Sequence, residues 1–147
     1  MGETDLHRDA MFRKIELLKR FFVGQKVYVS GDLLVYYEAG NNKKSIVPDV
    51  FFTKGLKQTQ RRIYRTWIER LPPNFVIETT SKKTKRIPPR ADGSLMSEQL
   101  GLNLQFNDGE LEFIEPDTNQ RLRTAEEKAD SLREELRILR ERIGLAP

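Results

Sequence analysis

Cysteine is absent from the 147 residues, and His7 is the single histidine. The first absence excludes disulfides and thiolate metal sites and suits a reducing compartment. The second leaves almost no material for a His-based metal centre or for Ser-His nucleophilic machinery. His7 itself falls in the first turn of a predicted helix and reads as a surface residue. No uncharged apolar run of about 18 residues occurs, and the N-terminal MGETDLHRDAMFRK holds no apolar signal-type core, so the expectation is a soluble, cytoplasmic protein with no membrane contact. At this length one core with an appendage fits, and two ordinary domains do not.

Charge is plentiful and unevenly placed. Residues 1–90 carry 19 Lys+Arg against 9 Asp+Glu, and residues 91–147 carry 7 against 13, so a net charge of +4 hides halves of opposite sign. The basic residues cluster at Lys43 and Lys44, at Lys54, Lys57, Arg61, Arg62 and Arg65, and at Lys82, Lys83, Lys85 and Arg86. Such a field draws a polyanion, which makes Lys43, Lys44, Lys54, Lys57, Arg61, Arg62, Lys83, Lys85 and Arg86 the candidate nucleic-acid contacts. The plainer alternative is that these side chains solvate loops and edge strands.

Periodicity divides the chain. Met11, Ile15, Leu18 and Phe22 recur at helical spacing, predicting an amphipathic helix over residues 5–22 with Asp5 as its N-cap. From residue 26 to residue 53 the pattern becomes that of strands: VYVS, LLVYY and SIVPDVFF, rich in β-branched and aromatic residues. Ser30-Gly31-Asp32 reads as a turn or bulge and Ala39-Gly40-Asn41-Asn42 as a hairpin loop, so a meander is expected. Pro48 has no N–H to give a ladder, which predicts an edge or a bulge just before Asp49. Residues 56–71 read as loop with a short helix in which Trp67 anchors the core. The strand NFVIETT places Phe75 and Ile77 on one face and Val76, Glu78 and Thr80 on the other.

Residues 100–114 predict a hairpin around Asn107-Asp108-Gly109 with Leu102, Leu104 and Phe106 sharing a face. Glu110, Glu112, Glu115 and Asp117 read as its solvated side. The C-terminal helix opens on a capping box, Thr124 with Glu127. It carries a heptad seam through Ala125, Ala129, Leu132, Leu136, Leu139 and Ile143, and Gly144 ends it. A seam of under three heptads is marginal alone, which predicts homodimerisation or packing on the domain.

Asp49 and Glu78 are the candidate chemistry. A carboxylate in mid-strand beside valine is costly to bury unless a cation or donor meets it. Two carboxylates on neighbouring strands supply hard oxygen ligands for a divalent cation and leave positions for water and a phosphate.

The Pro48-Asp49 step followed by a strand bearing Glu78 resembles the PD-(D/E)XK nuclease superfamily. The segments DLHRDAM, VYVSGDLLVYY, VPDVFF, PPNFVIETTSKKTKR, ADGSLMSEQLGLNL, GELEFIEPDTNQRL and TAEE are similar to its bacterial restriction-endonuclease branch. The resemblance covers most of the chain. It implies an α+β, restriction-endonuclease-like fold: a mixed or antiparallel sheet with an N-terminal helix, a small C-terminal β-hairpin and a terminal coiled-coil-type helix. Residues 1–123 would form the shortened nuclease-like domain and residues 124–147 the helix. It further implies Mg2+ or Mn2+ bound by Asp49, Glu78 and the Thr79 carbonyl, DNA as substrate and no small-molecule cofactor; the homodimer expected from the heptad seam, joined through the C-terminal helix, suits such an enzyme.

One part of the pattern departs. The superfamily places a lysine two residues past the second acid, where this chain has Thr80, and threonine brings no charge to the attacking water. In the resembling branch the lysine moves to a helix after that motif, and this chain passes directly from TSKKTKR to IPPRADGSLMSEQLG. Lys82 is then the nearest substitute for the catalytic lysine. The missing block also leaves apolar sheet surface for something else to cover, such as a partner subunit. Two classes stay open: a Mg2+-dependent DNA endonuclease, and a catalytically silent nuclease-fold remnant that binds nucleic acid or another protein.

Overall fold

The computed structural model describes residues 4–78 and 95–144. Its elements in chain order are α1 (Asp5–Phe21), β1 (Val27–Ser30), β2 (Val35–Tyr36), β3 (Ser45–Ile46), β4 (Val50–Lys54), β5 (Tyr64–Arg65), α2 (Thr66–Glu69), β6 (Phe75–Ile77), β7 (Leu95–Ser97), β8 (Leu102–Asn107), β9 (Glu110–Ile114) and α3 (Ala125–Arg142). The class is α+β, with three small sheets of order β1-β4-β6, β3-β2-β5 and β7-β8-β9 and a helix at each end. No helix among the described residues is long and apolar enough to cross a membrane.

The β1-β4-β6 sheet is covered on both faces, which explains why its strands read as continuous apolar runs and not as an alternation. On one face Val27, Val29, Val50, Phe52 and Ile77 meet the stripe of α1 formed by Met11, Ile15, Leu18 and Phe22, with Leu17 added. Leu102 and Phe113 of the third sheet close the same core. On the other face Tyr28 and Phe51 pack with Val35 and Tyr64 of the second sheet. The Phe51 and Tyr64 rings meet edge to face at 5.3 Å, a favoured aromatic geometry.

The expected meander is corrected. β1 pairs with β4 and not with β2, and SIVPDVFF splits into β3 and β4, which belong to different sheets. The break falls at Pro48, whose missing N–H interrupts the ladder while its carbonyl accepts from the Asp32 amide at 2.9 Å. The free edge of β1 is occupied by a side chain: Gln58 accepts from the Val29 amide at 2.8 Å and donates to the Val29 carbonyl at 3.0 Å, as a neighbouring strand would.

Trp67 is not the core anchor of residues 56–71. It is 38% exposed, whereas Tyr64, in a short strand the sequence pattern did not predict, is fully enclosed. The Tyr64 hydroxyl donates to the Leu71 carbonyl at 2.7 Å and lies 3.3 Å from the Thr53 hydroxyl. β5 runs parallel to β2, and a two-residue parallel pairing leaves no periodic signature.

Other expectations meet the structure closely. The hairpin β8-β9 turns at Asp108 (φ 49) and Gly109 (φ 82), the pair of positive φ angles a type I′ turn needs, although Phe106 ends exposed and β7 extends the hairpin to three strands. The N-cap of α1 is Thr4, which accepts from the His7 amide, and not Asp5. α3 starts on the expected reciprocal box between Thr124 and Glu127. That end is fastened to the domain by polar contacts: Arg13 of α1 bonds Glu110 at 2.7 Å and Glu127 at 2.8 Å, and Glu16 accepts from the Ala125 amide at 3.2 Å. Beyond its first turns no α3 residue is buried.

Candidate functional site

Asp49 directly precedes β4 and Glu78 directly follows β6. Since Val50 pairs with Ile77 in the antiparallel register, the next step of the ladder sets Asp49 across from Glu78. The Asp49 backbone amide donates to the Glu78 carboxylate. Two like charges facing one another across a strand pair repel. Partial burial pushes the Glu78 carboxyl above its usual value and the Asp49 charge pushes the same way, against the pull of the Asp49 amide and of His7. Asp49 itself is buried while Glu78 is exposed, so the pair opens to solvent on the β6 side.

His7 is not a surface residue. Its Nε2 lies 3.3 Å from Asp49 Oδ1, and both side chains are about 10% exposed. α1 brings the ring there because positions 7, 11, 15, 18 and 22 form one stripe of the helix, and the stripe packs on the sheet that carries Asp49. A histidine four residues ahead of the first apolar position continues that stripe, and this was the available signal for its placement.

Lys14 is the second residue that the sequence reading did not single out. It is 7% exposed, deeper than any other Lys or Arg among the described residues, and its Nζ donates to the Ala10 carbonyl at 3.3 Å. Burial holds its ammonium below the usual lysine value; Glu110 opposes this, Arg13 adds to it, and Asp49 opposes it. Position 14 falls within the apolar stripe, three past Met11 and four before Leu18, so a lysine there has its stem in the core.

Gly31 makes the approach possible. A Cβ at this position would overlap the Asp49 carbonyl and come within 2.9 Å of Ile15 Cδ1, so the end of β1 passes directly beside the Pro48-Asp49 turn only because residue 31 has no side chain. Asp32 follows with φ 48 and closes the turn through its bond to Pro48.

Of the remaining predicted site residues, Thr79, Lys82, Lys83, Lys85 and Arg86 lie outside the described residues. Lys43, Lys44, Lys54, Lys57 and Arg62 are exposed. Arg61 is committed internally: its guanidinium pairs with Glu69 at 2.7 Å and stacks 4.2 Å from the Tyr28 ring centroid. Burial of its charge is therefore offset within the fold, and it offers less to a polyanion than the exposed lysines. Glu110 and Glu112, expected to be solvated, pair with Arg13 and Arg121.

The donor set fits a hard divalent cation in chemistry: two carboxylates in mutual repulsion, one buried and one open to water. Among the described residues no group of three or more His, Asp or Glu side chains is gathered that could hold a metal ion. A cleft of about 1070 Å3 lies elsewhere, between the end of α1 and the segment leading into α3, with Leu17, Phe21, Arg20, Arg123 and Lys128 on its walls. It holds neither Asp49 nor Glu78 and has none of the paired acids that make the strand-end site chemically distinctive. Comparison with protein-family models, curated proteins and solved structures finds no match for this chain.

Proposed function

We propose that the chain is a divalent-metal-dependent phosphodiester hydrolase of the restriction-endonuclease type, acting on DNA. The observation that carries this reading is the facing position of Asp49 and Glu78 at the adjoining ends of β4 and β6, where burial, with the Asp49 charge adding to it, raises the Glu78 carboxyl. Mg2+ or Mn2+ held by Asp49 and Glu78 would polarise a phosphate oxygen and lower the pKa of a bound water. The protein's own residues orient the set. The imidazole of His7 fixes the Asp49 carboxylate, the Asp49 amide fixes Glu78, and Gly31 admits the turn that carries both. The exposed lysines of the N-terminal half attract a polyanion to the domain as a whole; Lys54 stands at the end of β4 opposite to Asp49.

Plasmid nicking by the intact chain in Mg2+ and Mn2+, compared with Asp49→Ala and Glu78→Ala, tests the reading. Cleavage by the wild type and its loss in both variants supports it; indistinguishable behaviour of all three removes it. In that case the fall of DNA affinity with log[salt] decides whether the chain is a nucleic-acid-binding remnant, since phosphate contacts give a steep negative slope.

We also propose that α3 joins two copies of the chain. Leu132, Leu136, Leu139 and Ile143 are each more than half exposed and fall at a and d positions. The opposite side of the helix is occupied by its own ion pairs, Arg137 with Glu134 and with Glu141. In a parallel pair the g position Glu135 of one copy meets the e position Arg140 of the other, a complementary contact that favours a second copy as the occupant. A dimer suits an enzyme that cuts both strands of a duplex.

A further inference from the structure

An ammonium carries three donors, and Lys14 uses one of them, at 3.3 Å, on a carbonyl of its own helix. No ion pair to a carboxylate is formed by it among the described residues, although the Lys14 residue as a whole is only 7% exposed. Glu110, the acid acting on it most strongly, is itself taken up by Arg13. A largely buried ammonium without a direct counter-charge is unfavourable, and Glu110 and Asp49 offset it only from a distance. A position in the buried stripe of α1 would be filled more favourably by methionine or leucine.

The direction of the side chain bears on its role. Helical side chains tilt toward the N-terminus, and the Nζ bond to Ala10 places the ammonium one turn back from its own Cα, toward the turn that carries His7. His7 touches Asp49, and Lys14 lies within electrostatic reach of the same carboxylate. Lys14 therefore shares the helix face whose first turn meets Asp49.

We propose that Lys14 is the phosphate-holding cation of the Asp49-Glu78 site, with the unused donors of its ammonium directed to an oxygen of the substrate's phosphate group. This rests on the hydrolase reading and supplies the charge that Thr80 does not. The buried charge is retained, at a cost to stability, because a bound phosphate compensates it.

Lys14→Met keeps the length and volume of the stem and removes the charge. Its thermal midpoint should rise by about 2–4 °C, the shift that roughly 1 kcal/mol produces in a chain of this size. Its Mg2+-dependent nicking should fall by about 100-fold or more, as on removal of one preorganised donor. A second arm needs no catalysis: inorganic phosphate should raise the midpoint of the wild type more than that of the variant. A variant that nicks DNA like the wild type overturns the proposal, as does an equal phosphate response in the two proteins. If the wild type does not nick DNA but shows the Lys14-dependent phosphate response, the hydrolase reading fails and the anion site stands. If it shows neither, both fail.

Discussion

Gly31 sits against the peptide of Asp49 with no space for a methyl group, so the end of β1 and the Pro48-Asp49 turn are in backbone contact. The same turn carries the buried acid and accepts the Asp32 amide through Pro48. Position 31 thus couples the packing of α1, through Ile15, to the location of Asp49. Gly31→Ala is expected to destabilise the fold by about 1–3 kcal/mol, as overpacking at a rigid contact does. It should also lower metal-dependent nicking under conditions where the protein remains folded. Denaturant midpoints together with cleavage rates check this; a variant with unchanged midpoint and unchanged rate would show that the turn yields freely.

Tyr64 and Trp67 should respond in opposite measure to truncation. Tyr64→Phe leaves the part-buried Leu71 carbonyl without its 2.7 Å donor and is expected to cost about 1–2 kcal/mol. Trp67→Ala removes a ring already 38% exposed, and its cost should be smaller than that of Tyr64→Ala, which empties a fully enclosed position. Urea denaturation of the three variants ranks them.

Stability should show an acid limb from Glu127. Burial raises this carboxyl, but the Thr124 amide, Arg13 and Arg121 outweigh burial and hold it below its ordinary value of 4.5. Because the folded-state pKa is depressed, the stabilisation is present above that ordinary value and is lost as pH falls through the folded one. Glu127→Gln should therefore be less stable than the wild type at neutral pH and should narrow the gap as pH drops below about 4.5. Denaturation curves at successive pH values measure the difference; parallel curves would exclude Glu127 as the titrating group.

The α3 seam gives a prediction separable from the fold. Leu136→Glu places a charge at the centre of the seam, where no other part of the described chain packs, so the unfolding midpoint of the monomer should stay within about 0.5 kcal/mol of the wild type. Sedimentation should show the mass falling from two chains to one. Glu135→Arg should weaken the association, and pairing it with Arg140→Glu should restore it if the two helices run parallel. A wild-type chain that sediments as a monomer at all concentrations contradicts the proposal.

Local chemistry was sufficient wherever an element depends on its own neighbours. The α1 stripe, the Thr124-Glu127 box, the I′ turn at Asp108-Gly109 and the break at Pro48 all follow from periodicity, capping or backbone stereochemistry, and all are readable in the residues. Asp49 and Glu78 became candidates on the same local grounds, since a carboxylate expected among apolar strand residues stands out. Their facing position is a matter of register, and β4 to β6 register is set by pairing across more than twenty residues of intervening chain.

Long-range packing decided the rest. Which strand neighbours β1, that Tyr64 and not Trp67 fills the space against Phe51, that His7 reaches Asp49 and that Lys14 is buried are all consequences of where one layer sits on another. A histidine or lysine in an apolar stripe has the same local propensities whether its tip reaches solvent or a carboxylate. The difference is made by the surface placed opposite it, and that surface comes from residues 29 to 78, brought under α1 only when the chain has folded.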